Sequence, residues 1–200
     1  MSIERKVQLV ESLFSQLEKE SVQFEKSSGL GCVAGCGKCC THPDVEASPI
    51  EFLPWAFHLF LQGEAEKTLT LLNETHSRTC FIYKPLAFID KGNCGNYKYR
   101  GLICRLFGFS ANTDKYGKLR LATCKIIKEG QTEKFNSTAE AITKGLPVPI
   151  FTEYYMRLNQ IDFRLGNMIL PVNKALKIAL EEVLHYYEYR NSPDVEVEVI

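Results

Sequence analysis

No stretch of this chain is apolar for long enough to span a bilayer: the best run, "FLPWAFHLFLQG", is too short and contains Pro54. An excess of charge is missing too, because 24 Lys and Arg stand against 24 Asp and Glu. No block of like charge marks a nucleic-acid or membrane partner. The opening "MSIERKVQLVESLFSQLEKESVQFEKSS" is charged throughout and has no uninterrupted apolar core, so no secretory signal is read in it. The expected location is the cytoplasm, where thiols are kept reduced. Internal repeats and low-complexity linkers are lacking, and histidine is scarce, with four in the chain. "GLGCVAG" is no dinucleotide loop, since its third spacing is wrong and it follows a helix instead of a strand.

What the chain does have is cysteine. Four of its eight fall within the nine residues "CVAGCGKCC": Cys32, Cys36, Cys39 and Cys40. Cys80, Cys94, Cys104 and Cys124 follow. Oxidised bridges, a metal site and a catalytic thiol are the three chemistries to weigh. At 200 residues the chain can bury a sizeable core without bridges, and a reducing compartment opposes them. Thiolate sulfur is a soft ligand suited to zinc and to iron–sulfur clusters. Cys36-Gly-Lys-Cys39 has a common metal-knuckle spacing, and Cys32 adds a third sulfur. Successive side chains usually point to different sides, so Cys39 and Cys40 are expected to serve different metals, or one to ligate while the other packs or reacts. Eight sulfurs suffice for two four-thiolate centres or for one cluster with spare thiols, and spacing does not divide them.

A thiolate centre is negative overall. Lys38, Lys98, Arg100 and Arg105 lie within the cysteine-bearing segments and would offset that charge, the two arginines from behind the ligands. His42, Asp44 and Glu46 follow the cluster as possible nitrogen and oxygen donors, set against a reading as solvated loop residues. A Cys–His catalytic pair stays open, with no thiol singled out as nucleophile.

The rest of the chain is read as helix. Ile3, Val7, Val10, Phe14 and Leu17 predict an amphipathic helix from an N-cap at Ser2 to about Lys26. In "ASPIE", Ser48, Pro49 and Glu51 make a capping box for a second helix, with Phe52, Trp55, Phe57, Leu59 and Phe60 inward. "EAEKTLTLLNETHSR" reads as a third helix, "CFIYK" as a strand, and "FGFSANTDKYGKLRLATC" as a hairpin about Asp114 to Gly117. "STAEAITKG" predicts a short helix capped by Ser137 or Thr138. "PVNKALKIALEEVLHYYEYR" predicts a longer one with Val172, Leu176, Ala179, Val183 and Tyr187 on one face. The alternating tail "DVEVEVI" is an edge strand or a frayed end. The expected fold class is mainly α with a small irregular β/loop region. A helical frame surrounds a central cysteine-rich metal-binding segment, in one domain over 1–200. The metal-binding segment runs from about 32 to 124 and a helical C-terminal segment from about 137 to 190.

"CVAGCGKCC", with "CGNYKYRGLICRLF" from Cys94 to Phe107, resembles the YkgJ-type cysteine-cluster family of zinc- or iron-chelating proteins. Its pattern is C-x-x-x-C-x-x-C-C followed by C-x-x-Y-x-x-R-P-x-x-C-R-x-F. The resemblance spans roughly Cys32 to Cys124. It implies that Cys32, Cys36, Cys39, Cys40, Cys80, Cys94 and Cys104 bind the metal, with Cys124 a further member, and that Tyr97, Arg100 and Arg105 are cofactor-binding motif residues. Gly101 stands where the pattern has proline. The implied cofactor is iron, as an iron–sulfur cluster or thiolate–iron centre, or zinc. The cluster is also similar to that of flagellin lysine N-methylases. That implies an alternative function, an enzyme such as a protein-side-chain methyltransferase or oxidoreductase, beside a metal-free thiol–disulfide protein. Beyond a metal ion and an unassigned protein or small-molecule substrate, no partner is indicated.

Overall fold

The computed structural model describes residues 1–32, 36–86, 92–191 and 193, and on them the chain is mainly helical with six short strands. Helix α1 (Ile3–Ser28) starts at Ser2, whose Oγ accepts the Arg5 amide at 3.3 Å, and ends at Gly29 with a φ of 65°. Then come α2 (Lys38–Thr41), β1 (Glu46–Ala47) and a 3₁₀ turn at Pro49–Phe52 that runs into α3 (Leu53–Leu61). They are followed by α4 (Ala65–Glu74), β2 (Tyr83–Pro85) and β3 (Gly92–Cys94). A second 3₁₀ turn, Tyr97–Tyr99, leads to α5 (Leu102–Leu106), β4 (Ser110–Thr113) and β5 (Leu119–Ala122). The chain closes with α6 (Lys125–Gly130), α7 (Thr132–Thr143), α8 (Phe151–Ile161), α9 (Phe163–Gly166), β6 (Leu170–Pro171) and α10 (Val172–Tyr187). The strands form three antiparallel pairs, β1 with β6, β2 with β3 and β4 with β5.

The core lies where α1, α3 and α10 meet. Ile3, Val7, Val10, Phe14 and Leu17 are buried, as are Val172, Leu176, Ala179, Val183 and Tyr187, so both predicted stripes face inward. The Ser48–Glu51 capping box forms. Phe52 and Trp55 are buried, while Phe57, Leu59 and Phe60 are half-buried, Phe60 stacking on Tyr187 with ring centres 4.5 Å apart. The hairpin turns where expected: Gly117, at a φ of 77°, closes it by donating to the Asp114 carbonyl at 3.0 Å.

Two expectations are corrected. The helix expected to start at Ser137 or Thr138 begins at Thr132. Ser137 bonds back to the Lys134 carbonyl at 3.1 Å inside that helix, and Thr138 is buried on it. The strand in "CFIYK" covers only Tyr83 onward, and Cys80 sits in the preceding turn, its carbonyl accepting the Tyr83 amide. Helices α8 and α9 had no sequence reading. The alternating tail, 194–200, lies outside the described residues. No helix among the described residues is long and apolar enough to cross a membrane.

Candidate metal centre

The thiols come from segments far apart in the chain. Gly37 caps α2 with a φ of 57°, and a Cβ there would lie 2.5 Å from the Gly92 carbonyl oxygen. Only glycine lets α2, carrying Cys39 and Cys40, press backbone to backbone on β3, which ends in Cys94. The Cys80 amide donates to the Cys40 carbonyl at 3.0 Å, tying a third thiol to the same patch. Cys104 rides on α5. Cys124 is the N-cap of α6, its Sγ accepting the Ile127 amide at 3.4 Å. Beside Cys32, Gly31 is fastened by Gln131, which donates to the Gly31 carbonyl at 2.6 Å and accepts its amide at 3.3 Å.

All eight cysteines, Cys32, Cys36, Cys39, Cys40, Cys80, Cys94, Cys104 and Cys124, line one cavity of about 410 Å³. Apolar side chains including Phe52, Ile82, Phe107 and Ile127 complete the wall, and Lys38, Tyr97, Arg100 and Glu25 add polar groups. Cys32 and Cys39 are exposed and the other six half-buried. Among the described residues no group of three or more Cys, His, Asp or Glu side chains converges on one ion position. The sulfurs line a wall instead of meeting at a point.

Cys39 and Cys40 face the same cavity, contrary to the expectation that neighbours diverge. On a helix one residue turns the side chain by only about 100°. The Cys40 thiol hydrogen-bonds the Cys39 sulfur, bringing the Cys39 pKa down to about 6 and driving that of Cys40 up. Burial raises Cys80 to about 11 and also raises Cys94 and Cys104, with neighbouring thiols adding to the effect at all three. Thiols so placed cannot all ionise together unless a cation shares their space, so this donor set fits a soft metal centre.

The three motif residues part company. Tyr97 and Arg100 line the thiol cavity. Arg100 donates from Nη1 to the Tyr97 hydroxyl and from Nη2 to Glu18 Oε2 at 3.1 Å, with its guanidinium 4.0 Å from the Tyr97 ring centre. Arg105 lines a separate groove with Phe14, Glu18 and Lys98. Its guanidinium binds the carbonyls of Arg100 and Lys98 at 3.0 and 2.6 Å and Glu18 at 3.2 Å, clamping the Lys98–Arg100 turn to α1. His42 and Asp44 are exposed and occupied elsewhere: His42 Nδ1 accepts the Asp44 amide at 3.2 Å, and Asp44 pairs with Arg78 at 2.5 Å. Neither they nor exposed Glu46 line the cavity.

Glu51 does more than close its own capping box. It is fully buried, with Oε1 accepting the Ser48 amide and hydroxyl at 2.7 and 3.0 Å and Oε2 accepting the Ile103 amide at 3.1 Å. One carboxylate therefore caps two helix starts, the second being α5 with Cys104. Burial raises its pKa against the pull of those donors. The visible signal was a lone acid in "PIEFLPWAF".

A family model described as "CxxCxxCC: Putative zinc- or iron-chelating domain" matches residues 31–138, more than half of the chain. Comparisons with curated proteins and with solved structures give no match.

Proposed function

Because the chain belongs to the CxxCxxCC family of zinc- or iron-chelating domains, its metal is iron or zinc, and we propose that the eight cavity cysteines hold it as one polynuclear, iron–sulfur-type thiolate centre. The observation that carries this reading is that eight thiols from Cys32 to Cys124 line one cavity of about 410 Å³. A tetrahedral ion takes four ligands at about 2.0–2.3 Å. Eight sulfurs spread over a wall suit several metal atoms joined by sulfide better than a single ion. When bound, such a centre supplies positive charge to the thiolates and, as iron, one-electron redox capacity. The chain's own part is to gather the sulfurs: α2 pressed on β3 presents Cys39, Cys40 and Cys94, and Glu51 fixes the start of α5 below Cys104. The cytoplasm is the proposed location, since an oxidising compartment would pair adjacent thiols before metal reached them.

Metal analysis and a visible spectrum of protein purified without oxygen test the reading. Iron with acid-labile sulfide and a thiolate-to-iron charge-transfer band is the expected result. Colourless protein with stoichiometric zinc would replace the cluster by a closed chelating site. Absence of both metals would overturn the reading and leave thiol–disulfide chemistry.

A further inference from the structure

A guanidinium has five N–H donors, and a buried one is rarely left without an acceptor. Arg105 follows that rule, with Nε, Nη1 and Nη2 each bonded to protein oxygen. Arg100 does not. Its Nη1 and Nη2 are engaged by Tyr97 and Glu18, but its Nε is buried with no acceptor among the described residues. Arg100 is also the arginine that lines the thiol cavity. Its side chain is only 14% exposed and is held from two sides, so it cannot swing out to water without breaking both bonds.

We propose that Arg100 Nε–H donates to an anionic cysteinate sulfur of the metal centre, making Arg100 the positioning residue that offsets the centre's negative charge from within the cavity wall. The proposal rests on the reading of the cavity as a metal centre. Charge-assisted N–H···S contacts of this kind stabilise the ionised ligand and hold it in orientation. Among the thiols, the Arg100 charge acts on Cys39 and Cys94, where it favours the thiolate. Tyr97 holds Nη1 at the cavity wall, while Glu18 ties Nη2 and the Arg105 guanidinium back to α1 as a structural brace.

Cobalt(II) titration of metal-free, reduced protein tests this, because cobalt thiolates absorb through charge transfer from sulfur. Three proteins are compared: wild type, Arg100→Gln and Glu18→Gln. Glu18→Gln loosens the brace but leaves the Arg100 Nε–H in place. Arg100→Gln is expected to weaken cobalt binding by about 10- to 100-fold. It should also move the charge-transfer band to longer wavelength, since a hydrogen bond lowers the energy of the sulfur lone pair that supplies the electron. Glu18→Gln is expected to lower the melting temperature while keeping the band. An Arg100→Gln protein with the wild-type affinity and band would overturn the proposal, as would a Glu18→Gln protein shifted just as far. If Arg100→Gln does not fold, Arg100→Lys keeps a positive charge but lacks the Nε donor, and a wild-type band in that variant would likewise overturn it. Wild-type protein that takes up no cobalt removes the metal reading itself, an outcome distinct from the others.

Discussion

Gly101 makes room for a neighbour's carboxylate. A Cβ at that position would lie 2.9 Å from Glu51 Oε2 and 2.9 Å from Phe52 Cζ, so the place where the related pattern has proline is filled here by buried groups. Gly101→Ala is expected to destabilise the protein by roughly 1–3 kcal/mol through overpacking. It should also lower metal content by disturbing the start of α5 below Cys104; thermal melting and metal analysis together check this. The cysteines themselves can be ranked. Cys36→Ser and Cys39→Ser are expected to lower metal content and melting temperature. Cys124→Ser should do less, because serine is itself a good N-cap for α6. Equal metal content and melting in all three would remove the first loop as a ligand source. The thiols that line the cavity stood out in the sequence as a cluster, and clustered thiols suit soft-metal chemistry. The second role of Glu51 was not legible there, because its partner Ile103 is 52 residues away in sequence and no local pattern records a contact that long.

Helices with a wide apolar stripe declared themselves, as α1, α3 and α10 did. Helix α8 did not, because only Tyr154 and Leu158 along it are buried and a stripe that narrow gives little periodicity. The junction after it depends on one acid. Asp162 caps α9 by accepting the Leu165 amide at 2.9 Å and pairs with Lys6 of α1 at 2.6 Å, both side chains 13% exposed. Burial would raise the Asp162 carboxyl, but the Leu165 amide and the Lys6 ammonium outweigh it and hold its pKa below the usual carboxylate value. A depressed folded-state pKa means that this stabilisation is complete above the unfolded-state value and fades as pH falls through the folded one. Asp162→Ala is therefore expected to cost roughly 1–3 kcal/mol near neutrality, from the lost cap and the unpaired Lys6. The gap from wild type should close in strongly acidic buffer. Denaturant melts at several pH values measure it, and a gap that does not vary with pH would show that neither cap nor pair matters.

Two regions of unlike character share the molecule. The core of α1, α3 and α10 is held by apolar burial, whereas the walls of the thiol cavity are short elements and turns. Metal removal is expected to loosen the second and spare the first. Chelator-treated protein should keep most of its helical circular dichroism yet become cleavable by protease between about Cys32 and Cys124. Loss of all helicity would mean that the core depends on the centre, and unchanged protease resistance would mean that the walls do not. This division was only half legible. Periodicity exposed the apolar core, but the gathering of eight thiols on one cavity depends on contacts such as Gly37 on Gly92 and Gln131 on Gly31, which only the folded chain supplies.

The distance along the chain between the cysteine pair on α2 and the thiol on α5 sets an order of birth. About 60 residues separate Cys40 from Cys104, which at about 5–20 residues per second is a wait of about 3–12 s on the ribosome. For that interval the first thiols exist without the later ones. Loading of the full set thus waits for the later thiols, and until they emerge the nascent protein relies on the reductants around it to keep two adjacent sulfurs apart.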